Sequence, residues 1–248
     1  MKLGLVGAGN MAGALARGWG VPVLVHDAFR PRAEALVAEL GGDVFDSNAE
    51  LAEACDAVLL AHKPTGLERV AAEIGGRAKG VVSILGGVRV DALRAAYGAT
   101  PVVRMIPSVP VEVRRGVTCM ARPGERDESL ARQARELFLR VGVVSTIDES
   151  HMDVATGLMS SAPALWALVV ESQVDAGVRA GMPPDIASLL VVESMAGTAA
   201  LLPEREMDTL AVRRMVTSPG GITARGLAAL ERGGVRAAFD DAMQAMVA

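Results

Sequence analysis

A chain of 248 residues can hold one large or two modest domains, and 51% of it is apolar with few aromatics. Its formal charge of −4 gives no basic footprint for nucleic acid, and two cysteines, Cys55 and Cys119, suggest neither a disulfide framework nor a metal cage. The start reads as a strand and glycine turn rather than a secretory leader, and the apolar run 162–170 is too short to span a bilayer, so a reducing cytoplasm and no membrane are expected.

Lys2 to Val6 reads as a short apolar strand, followed by Gly7-Ala8-Gly9-Asn10-Met11-Ala12 and a helical run to about Trp19. This is a G-x-G-x-x-A pattern between a strand and a helix. Gly7 permits the tight turn, Gly9 lets a pyrophosphate approach the backbone, and Ala12 is small enough for the helix to pack on the strand. A second strand, Pro22 to His26, ends at Asp27, about 20 residues on, where an acid can bond the ribose hydroxyls of NAD. Arg30 and Arg32 follow and can instead grip a 2′-phosphate, so NADH and NADPH both stay open.

Strands and helices then alternate. Helix is expected over Pro31 to Leu40, and again over Ala49 to Ala54 with Asn48 as its N-cap. Ala57 to Ala61 reads as a buried strand ending in His62-Lys63-Pro64. Gly80 to Leu85 reads as a strand closed by Gly86-Gly87. Helix follows over Asp91 to Tyr97, then strand over Pro101 to Ile106, ending in Pro107-Ser108-Val109-Pro110. A strand over Gly116 to Ala121, a helix around Glu128 to Val141 and a strand near Val143 to Thr146 complete the alternation. Such alternation predicts a doubly wound, mostly parallel sheet, with ligands beyond the strand C-termini, where Gly7, His62, Lys63, Gly86 and Ser108 sit.

After about Asp148 the strands stop, which divides the chain into 1–148 and 149–248. Glu149 to Ala180 reads as one long helix kinked at Pro163, and further helices are expected over Asp185–Leu202, Arg205–Met215, Pro219–Arg232 and Val235–Met246. Leu165, Trp166, Leu168, Val169 and Val170 nearly encircle the first, so a partner subunit is expected to cover it. In the tail, Ser218 suits an N-cap and Pro219 the first helical position, while Gly220 and Gly221 leave bare amides at a helix start with Thr223 a turn on. That segment is either a capped helix with a flexible start or a seat for a carboxylate or phosphate with a hydroxyl beside it.

These residues resemble the pyrroline-5-carboxylate reductase family over nearly the whole chain. Gly7-Ala8-Gly9-Asn10-Met11 is similar to its opening fingerprint, Ala61-His62-Lys63-Pro64 to its A-V-K-P, and Gly181-Met182-Pro183 to its G-L-P. The tail, Met215 to Gly221 with Thr223 and Gly233-Gly234-Val235-Arg236-Ala237-Ala238-Phe239, is similar to its signature. Two segments depart from it. Ile106-Pro107-Ser108-Val109-Pro110 stands for M-P-N-T-P, and Met159-Ser160-Ser161-Ala162-Pro163-Ala164-Leu165 for S-G-S-G-P-A-Y.

The resemblance implies an α/β protein with an N-terminal Rossmann-type doubly wound sheet, followed by an all-helical domain for substrate binding and dimerisation. It implies a homodimer, or a ring of dimers, that reduces a cyclic imine carboxylate, 1-pyrroline-5-carboxylate, to L-proline with NADPH or NADH. By the same resemblance Gly7, Gly9, Asn10, Met11, Asn48, His62, Lys63 and Pro64 hold the cofactor, with Asn48 at its adenosine end, beside Asp27 and Arg30 as read from their place after the second strand. Ser218, Gly220 and Gly221 hold the substrate carboxylate, and Thr223 serves the ring nitrogen as the catalytic residue. The altered segments keep two alternatives open: an imine reductase of the same family with another cyclic imine, and a dinucleotide-binding regulatory protein without turnover. A β-hydroxyacid dehydrogenase would carry a lysine on the long helix, and 156–174 contains none.

Overall fold

The computed structural model describes residues 1–247. The chain forms two compact units, one spanning Met1–Pro163 and one beginning at Ala164. In the first, strands β1 (Leu3–Val6), β2 (Val23–His26), β3 (Gly42–Val44), β4 (Ala57–Leu60), β5 (Val81–Ser83), β6 (Val102–Pro107), β7 (Gly116–Ala121) and β8 (Gly142–Ile147) make one sheet of order β3-β2-β1-β4-β5-β6-β7-β8. The strands from β3 through β6 pair in parallel, β7 runs against β6, and β8 lies parallel to β7. The reversal has a simple cause. Only a short 3₁₀ turn, Val109–Val113, joins β6 to β7, and a parallel return needs a dozen residues or more.

Helices α1 (Asn10–Trp19), α2 (Arg30–Leu40), α3 (Asn48–Ala54), α4 (Leu67–Ile74), α5 (Val90–Tyr97) and α6 (Glu128–Phe138) connect the strands. Side chains alternate across the sheet into two cores. Leu5, Leu59, Val82 and Val103 pack with Leu15, Trp19 and Phe138. Val6, Val58, Leu60 and Val81 pack with Leu51, Ile74 and Leu93. Burial on both faces explains why β4 is an unbroken apolar run.

Two elements escaped the sequence reading. Strand β3 is only Gly42-Asp43-Val44 and carries no periodic signal. Helix α4 did carry one, since Leu67, Val70, Ala71 and Ile74 fall at helical spacing. A third point corrects an expectation: Ser47, not Asn48, caps α3, its hydroxyl accepting the Glu50 amide at 3.2 Å.

The expected single helix from Glu149 is segmented. A 3₁₀ turn (Glu149–His151) leads into α7 (Met152–Ala155), a π-helical stretch (Thr156–Ser160) and α8 (Ala162–Arg179). Pro163 has no amide and its ring crowds the carbonyl of the preceding turn, so the ladder shifts to wider closure just before it. The Ser161 amide accordingly reaches Thr156 O at 3.0 Å. At the same junction the buried Arg104 of β6 meets Glu149 at 2.6 Å, and that carboxylate oxygen also accepts the Val90 amide.

The second unit is helical: the remainder of α8, then α9 (Pro184–Leu201), α10 (Thr209–Met215), α11 (Ile222–Arg232) and α12 (Val235–Val247). The expected helix Arg205–Met215 begins later, because Glu206 and Met207 adopt positive φ and Asp208 recaps the chain. Trp166 of α8 meets Phe239 of α12 with ring centroids 5.9 Å apart. Few other side chains are covered: Trp166 is 50% exposed, Leu189 58% and Ile222 82%. By length and composition Glu149–Arg179 and Pro184–Leu201 are both apolar enough to cross a membrane, with mean hydropathies of 1.4 and 1.2.

Candidate active site

The glycine turn sits where β1 hands over to α1. Gly7 adopts φ +106°, and a Cβ there would lie 2.9 Å from Ala61 O, so only glycine fits between β1 and β4. Its amide donates to His26 O at 2.8 Å. Gly9 has no neighbour within 4 Å of where a Cβ would be, and it opens α1 with an uncapped N-terminus. Open backbone at a helix start is the requirement of a pyrophosphate.

Strand order reverses at β1, whose neighbours are β2 and β4, and a crevice forms beyond the strand C-termini at such a point. A cavity of about 1020 Å³ lies there, lined by Gly7, Gly9, Asn10, Met11, Asp27, Asn48, His62 and Lys63. Arg30 and Pro64 are not among its lining residues. Arg30 is drawn instead to Glu34 and Asp46. Arg32 does line the cleft, above the Phe29 ring at 5.5 Å, and has no carboxylate partner among the described residues. Asp27 accepts the Ala8 amide at 2.7 Å through one oxygen and the Phe29 amide at 2.7 Å through the other.

Two acceptors in this cleft have no partner among the described residues. Asn48 Nδ2 donates to Glu73 at 2.5 Å, and Asn48 Oδ1 has no partner. His62 Nδ1 meets Lys63 O at 2.8 Å, and His62 Nε2 is buried and unpaired. An unpaired buried polar atom costs about 1–3 kcal/mol, which a ligand donor would relieve. Burial holds the His62 imidazole below its usual pKa, with a smaller push from Arg69. Burial would raise the Glu73 carboxyl, but hydrogen bonds from Asn48 and Arg69 outweigh it and hold the group below the usual range. The glycine turn, the open helix start and the orphaned acceptors all fit a dinucleotide. Sequence reasoning missed Glu73, because nothing local ties it to Asn48, 25 residues away.

The tail segment differs from expectation. Ser218-Pro219-Gly220-Gly221 is a turn, with Gly221 N donating to Ser218 O at 3.0 Å and Gly220 at φ +70°. Proline second and glycine third is what a type II turn requires, and the positive φ cannot continue into a helix. Helix α11 therefore starts at Ile222, with Gly221 as its cap. The Gly221 amide is committed to the turn. The amides of Ile222, Thr223 and Ala224 precede the first bond of the helix, from Arg225 N to Gly221 O, and form its open end. Thr223 lies in that first turn. Among the described residues no group of histidine, cysteine and carboxylate side chains could hold a metal. Burial pushes both cysteine thiols up, which leaves them inert.

At the end of β6, Ser108 is 3% exposed and its hydroxyl accepts the Val117 amide at 2.9 Å. Val109 beside it is 48% exposed. Ser160, in the π-helical stretch, donates to Pro107 O at 3.2 Å.

Fold and cleft define a dinucleotide-binding protein of the doubly wound α/β class. Residues 149–248 match a family model described as pyrroline-5-carboxylate reductase dimerisation, and residues 2–87 match one described as NADP oxidoreductase, coenzyme F420-dependent. The chain is 37% identical to the pyrroline-5-carboxylate reductase of Thermus thermophilus, over 99% of this chain and 95% of that one. It is 35% identical to that of Synechocystis sp., with the same coverage. The solved pyrroline carboxylate reductase of Plasmodium falciparum with NADP bound covers 100% of this chain and 95% of its own, at 26% identity and a TM-score of 0.86. The chain belongs to the pyrroline-5-carboxylate reductase family.

Proposed function

We propose that this protein is a pyrroline-5-carboxylate reductase of proline biosynthesis, reducing the C=N bond of 1-pyrroline-5-carboxylate to L-proline. The reading is supported in each unit by itself: by the cleft at Gly7 and Gly9 in the first, and by the Ser218–Gly221 turn that opens α11 beside Thr223 in the second. NADH or NADPH, when bound, supplies a hydride to the imine carbon. The glycine turn and the start of α1 hold its pyrophosphate, and Asp27, Asn48, His62 and Lys63 orient the rest. The open amides of α11, with Gly220 and Ser218, hold the substrate carboxylate. Thr223 hydrogen-bonds the ring nitrogen and keeps its proton in place, so the carbon stays electrophilic as hydride arrives. A protonated imine needs no strong acid, and positioning supplies most of the acceleration.

The uncovered apolar side chains from Trp166 to Ile222 support a homodimer through the helical half, and rings of such dimers extend the same reading. A partner helix, rather than lipid, covers α8 and α9, consistent with a soluble cytoplasmic enzyme. Multiple-turnover oxidation of NADH or NADPH by the full chain with 1-pyrroline-5-carboxylate tests the function, and cofactor binding without turnover would reduce the protein to a dinucleotide sensor. The inward-turned Ser108 hydroxyl and exposed Val109 favour a second reading, another cyclic imine, and a panel varying ring size and substituent decides between them.

A further inference from the structure

Glu73 lies on α4, and no step of the hydride chemistry above uses it. An ionised carboxylate only accepts hydrogen bonds, so the bond from Asn48 Nδ2 decides which end of the amide meets it. The amide oxygen is thereby turned elsewhere and left without a donor. With Ser47 already capping α3, the Asn48 side chain has no other duty in the helix, yet it is 4% exposed. It follows β3, beyond β2 and Asp27, on the adenosine side of the crevice. His62 repeats the pattern. The Lys63 carbonyl also only accepts, so His62 Nδ1 carries the proton and Nε2 is a bare acceptor. Asn48, His62 and Arg69 all line the cleft, and Arg69 pairs with Glu73, which joins these residues in one neighbourhood of its wall.

We propose that Glu73 is a positioning residue for the cofactor: it holds the Asn48 amide so that Oδ1, with His62 Nε2 on the same cleft, stays a bare acceptor toward the donors of the adenosine part, its ribose hydroxyls and amino group. The inference rests on the dinucleotide reading above and adds a residue to it. Glu73 acts through its negative charge and through acceptance only. A glutamine there keeps the shape but offers a donor as well, which lets the Asn48 amide reverse.

Calorimetry on the full chain tests this with two probes: ADP-ribose, which carries adenosine, and reduced nicotinamide mononucleotide, which does not. Glu73→Gln, Asn48→Ala and His62→Phe should each weaken ADP-ribose about 5- to 10-fold, the loss of a single net hydrogen bond, and leave the mononucleotide unchanged. The double variant Glu73→Gln with Asn48→Ala should bind ADP-ribose no more weakly than Asn48→Ala alone, because Glu73 acts through Asn48. Wild-type affinity in Glu73→Gln, additive losses in the double variant, or equal losses of both probes would overturn the proposal. A wild-type chain that binds neither probe would instead remove the dinucleotide reading itself.

Discussion

The Asp27 carboxylate accepts the Ala8 amide at 2.7 Å, tying the end of β2 to the glycine turn. Its other oxygen holds the Phe29 amide, so Asp27 shapes the loop as well as lining the cleft. A carboxylate there repels a 2′-phosphate and can still accept from a ribose hydroxyl, while Arg32 stands uncommitted on the same cleft. Replacing Asp27 by Ser should weaken NADH and shift the ratio of specificity constants toward NADPH by about tenfold, a change of roughly 1.4 kcal/mol. An unchanged ratio in steady-state kinetics with both cofactors would show that Asp27 serves the loop alone.

Thr223 stands in the open first turn of α11 and is expected to act on the imine nitrogen. Thr223→Val keeps the shape and removes the donor. It should lower turnover about 10- to 1,000-fold, as for loss of one positioned donor or proton-transfer group, with a smaller effect on KM. Gly220→Ala tests the turn beside it. There is open space around Gly220, but φ +70° strains any other residue by about 1–2 kcal/mol. The predicted outcome is a raised KM for the imine with kcat largely kept. Wild-type turnover in Thr223→Val would make Thr223 a binding residue only.

His62 makes stability depend on pH in a defined window. Burial holds its folded pKa below the usual value of about 6.5. Between those two values the unfolded chain binds more protons than the folded one, so stability rises with pH. The contribution is fully present above about 6.5 and is lost as pH falls toward the folded value. Glu73, held below its own range, stays ionised through this window, and its contribution fades only below about pH 4.3. Urea midpoints from pH 7 to 5 should therefore fall more steeply for wild type than for His62→Phe. Equal slopes would mean that His62 is not held neutral.

The helical unit leaves Leu189 58% and Leu190 54% exposed on α9. In detergent-free buffer at micromolar concentration, light scattering should give at least twice the chain mass. Leu189→Asp, which puts a charge on the face to be covered, should shift the population toward the single-chain mass. A wild-type preparation at one chain mass would sink the dimer.

Much of this architecture was legible residue by residue. Gly7 and Gly9 between an apolar strand and a helix announce a dinucleotide turn, because only glycine tolerates that φ and that approach. The unbroken apolar run of β4 announces a strand covered on both faces. The loss of strands after Asp148 announces a change to helices. Such signals are local, and local physics writes them into neighbouring residues.

What the tertiary structure alone decided is which polar groups are free. Asn48 and Ser47 are both good caps, and only the fold shows Ser47 capping while Asn48 turns to Glu73. Arg30 and Arg32 are equivalent on paper, yet Asp46 draws the first away and leaves the second on the cleft. Pro219 reads as a helix start until the Ser218–Gly221 hydrogen bond makes it the corner of a turn. In each case an element or residue beyond the local motif settles the choice, since a hydrogen bond or ion pair depends on distances in space that a local motif does not encode.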